Sequence, residues 1–119
     1  MSPEELKRRT KTMSLAVVRL ASTIPKSREG DVIAKQLIRS ATSTAANYRA
    51  ACRARSKADF INKIGIVEEE ADETVFWLEL LLDLSLADRS TLEVELKEAN
   101  ELLAIFAASA ITAKKNKSR

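Results

Sequence analysis

No histidine occurs among the 119 residues. That removes the usual general base, the commonest transition-metal ligand and the Glu-x-x-His element of di-iron helix bundles. Gly30 and Gly65 stand alone, so no glycine-rich loop is available to cradle a phosphate. Carboxylates can still do acid–base work, so an enzyme is not excluded, but the expectation is a non-enzyme with no cofactor or metal. Cys52 is the single cysteine, so an intramolecular disulfide is excluded and a reducing cytoplasm fits. No apolar run approaches the roughly 18 to 20 residues that span a bilayer. The opening "MSPEELKRRTKTMS" is charged where a secretion signal would be apolar. The expectation is a soluble, cytoplasmic protein.

Turn-forming residues are equally scarce, with 2 Gly and 2 Pro against 45% hydrophobic and 31% charged residues. Alanine, leucine, glutamate, lysine and arginine dominate, a combination that points to an all-helical chain. The length suits one domain with one core.

Four helical segments follow from the spacing of apolar residues. The first opens at Ser2-Pro3-Glu4-Glu5, where Ser2 suits the N-cap, Pro3 the first helical position and Glu5 a capping box. Its inward face is Leu6, Met13, Val17, Leu20 and Ile24. "TIPKSREG" breaks it, and a second helix is expected from about Asp31 to about Ala54, with Ile33, Leu37, Ala41, Thr44 and Tyr48 inward. Cys52 reads as a small core residue at the end of that face. Ser56 to Asp59 supplies a turn and a new N-cap for a third helix reaching about Leu84. A capping box at Ser90-Thr91-Leu92-Glu93 opens the fourth, with Leu92, Leu96, Ala99, Leu103, Phe106 and Ala110 inward. Short connections imply antiparallel neighbours. The predicted architecture is an up-down-up-down antiparallel four-helix bundle over residues 1–119, with a basic, frayed or disordered tail at 114–119.

Charge is segregated along this frame. Residues 1–59 hold 13 Lys/Arg and 5 Asp/Glu, a balance of +8, while residues 60–113 hold 3 and 12, a balance of −9. The closing "KKNKSR" adds +4. On the second helix Lys35, Arg39, Thr42, Ala46, Arg49 and Arg53 are spaced 4, 3, 4, 3, 4 and so share one face. With Lys114 and Lys115 from the tail, this stripe can follow a nucleic-acid backbone and neutralise about four phosphates. No aromatic residue interleaves with the cations, so single-strand stacking finds no platform on that face. The same stripe can instead meet the acidic half of another copy, a heterologous contact that builds rings. A plain solvated face accounts for it as well. Asn47, beside the stripe, is expected to bond to a neighbouring helix.

The third helix, "FINKIGIVEEEADETVFWLELLLDL", carries more apolar surface than one core requires. Ile66, Trp77, Leu80 and Leu84 form a second seam with Phe76 beside it, which predicts an oligomer interface. The acids between 68 and 83 read as a solvated face rather than a metal site, because no histidine joins them. Glu70 is the exception and is expected to pair with Arg39 or another cation of the second helix.

Two stretches, "QLIRSATSTAANYRAACRARSKADFINKIGIVEEE" and "EADETVFWLELL", resemble the bacterial four-helix-bundle family of the ribosomal RNA intervening-sequence type. The matching residues are Gln36 and Arg39, the small run to Asn47-Tyr48, Ser56, Phe60, and Glu70, Glu73-Thr74 and Trp77-Leu78. The resemblance implies a homopentameric ring without catalytic residues. The accessory protein of diversity-generating retroelements is similar; it assists a reverse transcriptase and binds nucleic acid through a basic surface. RNA or DNA, and a reverse transcriptase or other nucleic-acid protein, are therefore the partners the resemblance implies. The position after Arg49 is often acidic in such proteins; here Ala50-Ala51 leaves the surface more basic.

Overall fold

The computed structural model describes residues 1–117 and contains four helices in the expected order: α1 (Pro3–Ala21), α2 (Arg28–Ala51), α3 (Lys57–Asp83) and α4 (Arg89–Lys117). Consecutive helices run antiparallel and pack into a rod of 50 × 22 × 21 Å. Short polar side chains fix where each begins. Ser2 Oγ accepts from the Glu5 amide at 3.2 Å and Pro3 occupies the first turn of α1, as the sequence predicts.

The other boundaries shift in instructive ways. α2 starts three residues before the expected Asp31, because Ser27 caps it by accepting from the Gly30 amide at 2.9 Å. Gly30 belongs to the first turn rather than to a breaker: a Cβ there would lie 2.6 Å from the Pro25 carbonyl oxygen. α2 ends at Ala51, short of the expected Ala54, and Cys52 is its exposed C-cap instead of a core residue. Ser56 caps α3 through the Asp59 amide at 3.0 Å. α4 opens on Asp88, whose carboxylate accepts from the Thr91 amide at 3.0 Å, so the expected box at Ser90 is not the cap. The helix runs on through residues 114–117, while residues 118 and 119 of the basic tail lie outside the described residues.

α3 terminates at Ser85, whose φ of 55° is left-handed. The Leu86 amide then reaches back to the Leu81 carbonyl at 3.0 Å, and Leu86 packs on the core. This is a Schellman closure with serine where glycine is usual.

The core is a continuous apolar column in which Met13, Val17, Leu37, Ile64, Leu78 and Phe106 are fully enclosed. Tyr48 of α2 packs its ring on Phe106 of α4 with centroids 5.2 Å apart. Leu102, not Leu103, is the fully buried leucine of that α4 turn. Four buried hydroxyl residues, Thr10, Ser40, Thr44 and Thr74, are all satisfied. Thr74 Oγ1 donates to Ser40 Oγ at 3.0 Å and ties α3 to α2 inside the core.

Candidate functional site

The antiparallel path gathers residues distant in sequence at one end of the rod: the N-terminus of α1, the α2–α3 turn and the last turns of α4. Arg49 points outward from the last turn of α2. Arg53 lies two residues beyond the end of that helix, in the turn that also carries Arg55 and leads into Lys57. All four are exposed, and among the described residues none makes an ion pair. Asp59, the acid nearest them in sequence, is held by Lys63 at 2.7 Å and accepts the Arg55 backbone amide at 3.1 Å, contacts that keep its carboxyl below the usual carboxylate range. Lys114 and Lys115 add exposed cations from α4 at the same end. The turn "RARSK" carries this signal as three cations in five residues, but Arg55 and Lys57 fall outside the 4, 3, 4, 3, 4 helical spacing of the α2 stripe.

Farther along α2 the stripe behaves differently. Lys35 is exposed and makes no ion pair among the described residues. Arg39 bridges to α3, donating to Glu70 at 2.9 Å and to Glu73 at 2.9 Å. The Glu73 hydrogen bond and the Glu70 charge raise its already high pKa. The expected Glu70–Arg39 pair is present, and its charge balance leaves Arg39 little to offer a phosphate. Asn47 bonds back to Ser43 O at 2.8 Å within α2, not to another helix as expected.

Between these elements at the basic end lies an open cleft of about 1070 Å³. Leu6, Tyr48, Phe60 and Ile105 line its apolar part, with Arg55 and Lys57 beside it. Burial raises the Tyr48 hydroxyl pKa well above its ordinary value, reinforced by neighbouring Cys52. A smaller groove at the opposite end runs between α1 and α4. There, burial and the charge of Glu98 raise the Glu95 carboxyl. Arg9 of α1 spans to Glu98 of α4 between the two, its Nε donating at 2.9 Å.

The α3 seam is partly in water. Ile66 is 37%, Phe76 52% and Leu84 50% exposed, while Trp77 and Leu80 are half-buried against the core. Phe76 meets Trp77 edge-on, with ring centroids 4.9 Å apart. The Trp77 indole N–H is buried and has no hydrogen-bond partner among the described residues. Among those residues no group of three or more acids and cysteines is arranged to hold a metal. No described helix is long and apolar enough to cross a membrane.

Comparison with known proteins agrees with this architecture. Residues 4–108 match the family model of the 23S rRNA-intervening sequence protein. A crystal structure of a protein of unknown function from the S23 ribosomal protein family of Bacteroides thetaiotaomicron VPI-5482 is 33% identical to this chain, with a TM-score of 0.80. The match covers 88% of this chain and 97% of that one. No curated protein matches. The chain belongs to the 23S rRNA-intervening sequence protein family.

Proposed function

We propose that this member of the 23S rRNA-intervening sequence protein family is a non-enzymatic homo-oligomeric bundle that docks a nucleic-acid backbone through its basic end. The carrying observation is the set Arg49, Arg53, Arg55 and Lys57, exposed and without ion pairs among the described residues, around the α2–α3 turn. Cations already paired within the chain, such as Arg39, contribute little to phosphate binding; these four are available for it. The family's link to an rRNA intervening sequence favours RNA as the first nucleic acid to try. The sequence carries no stretch that resembles a base-reading motif, so binding is weakly sequence-specific. The likeness to a retroelement accessory protein extends the partner class to a nucleic-acid enzyme such as a reverse transcriptase.

Assembly is the second part of the reading. Phe76 and Leu84 in water, beside a buried indole N–H that lacks an acceptor, favour α3 as the surface covered by another copy. Binding of labelled RNA at low salt to wild type and to Arg53→Ala/Arg55→Ala/Lys57→Ala tests the dock. The triple variant loses at least about tenfold in affinity. Equal affinities would refute it. The rival reading, in which these cations serve assembly alone, requires the variant to change sedimentation while RNA binding stays as it was.

A further inference from the structure

Resting on the reading of the basic end as a nucleic-acid dock, we propose that the cleft at that end takes an unpaired RNA base, so that the protein selects single-stranded over duplex RNA. The cleft and the free cations coincide: Arg55 and Lys57 border the same 1070 Å³ space that Phe60, Ile105 and Leu6 line. Lys7 also borders it but is held by Glu4 at 3.2 Å, whereas Arg55 and Lys57, without ion pairs among the described residues, border it from the α2–α3 side. A backbone following Arg53, Arg55 and Lys57 therefore passes the mouth of an apolar cleft.

The two classes of RNA would use that geometry differently. A duplex keeps its bases stacked inside and presents phosphates and riboses, which leaves the apolar wall wet. A single strand can turn a base inward, covering Phe60 and the aliphatic wall while its phosphates remain on the cations. The sequence places no aromatic on the α2 stripe, but the fold brings Phe60 of α3 to the cations of the turn. Ser56 Oγ is taken up in capping α3 and the Ser109 hydroxyl donates to the Ile105 carbonyl, but Thr112 and Asn116 line the same cleft and provide a hydroxyl and an amide for base edges and the ribose 2′-OH. That polar lining assigns RNA over DNA. A second copy presenting the same end would meet like charge, so head-to-head packing does not fill the cleft.

Fluorescence anisotropy tests this with an unstructured RNA of about 15 nucleotides, its duplex and the DNA strand of the same sequence. Wild type, Phe60→Leu and Ala108→Leu/Thr112→Leu are compared. The last variant fills the cleft from two exposed positions of α4 and so does not depend on tolerance in the core. Wild type binds the single strand at least about fivefold more tightly than the duplex, and both variants lose that preference while binding duplex as before. Equal, salt-dependent binding of single strand and duplex by wild type overturns the inference and leaves the dock standing. Equal binding of the RNA and DNA strands overturns the assignment of RNA. Failure to bind any of the three overturns the dock and the inference together.

Discussion

A Cβ added at Gly30 would stand 2.6 Å from the Pro25 carbonyl oxygen and 3.0 Å from Ser27 Oγ, whereas one added at Gly65 would meet nothing within 4 Å. The two glycines therefore respond oppositely to the same substitution. Gly30→Ala destabilises by about 1–3 kcal/mol because backbone must shift to admit the methyl group. Gly65→Ala stabilises by about 0.5–1 kcal/mol by removing glycine from a helix interior. Urea unfolding of both variants checks the pair; destabilisation of similar size in both would contradict it. Glu95 gives a pH test at the same scale. Burial and Glu98 raise its folded pKa above the unfolded value, so its ionisation disfavours the folded state. The penalty is absent below the unfolded pKa and complete once pH has risen through the folded one. Glu95→Gln should raise Tm at pH 7 by about 1–3 °C, a small gain because the side chain is partly solvated. That gain should vanish near pH 3, well below the ordinary glutamate pKa. A gain at pH 3 equal to that at pH 7 would assign the effect to something other than charge. None of this was legible beforehand, because neither glycine nor glutamate announces which atoms will face it.

The helices themselves were legible, and their ends less so. Period-3.6 apolar spacing placed Ile33, Leu37, Ala41, Thr44 and Tyr48 on the face of α2 that the structure buries. Boundaries moved where a side chain other than the expected one capped the helix, as at Ser27 and Asp88. The α3 terminus lacked its usual sequence mark because Ser85, not glycine, adopts the left-handed conformation at φ 55°. Ser85→Gly relieves that strain and should stabilise the protein by about 0.5–1 kcal/mol, raising Tm by about 2–5 °C. A fall in Tm would mean that the Ser85 side chain, rather than the backbone, holds the turn. Arg39 shows the other limit of element-scale reading. Spacing correctly put it on the outer face of α2, but only the packed pair of helices reveals that Glu70 and Glu73 take up its charge.

For the molecule as a whole, short connections and four amphipathic segments were enough to give an antiparallel bundle. The cleft was not legible, because its walls come from residues 1–7, 48–60 and 105–116, which meet only after three chain reversals. Assembly belongs to this scale too. Sedimentation velocity of wild type should show a species larger than a monomer, and Leu80→Asp should shift it to the monomer by placing a charge in the α3 seam. A monomeric wild type would remove α3 as an interface. The central claim is that free charge at one end of the rod, not the full length of α2, grips the nucleic acid. Its most direct test is the salt dependence of RNA binding to wild type, Arg53→Ala/Arg55→Ala/Lys57→Ala and Arg39→Ala. The log–log slope should be about −3 to −4 for wild type and shallower by about 2 to 3 for the triple variant. It should be unchanged for Arg39→Ala, whose charge is already matched within the chain. An undiminished slope in the triple variant, with the loss appearing in Arg39→Ala instead, would contradict the account.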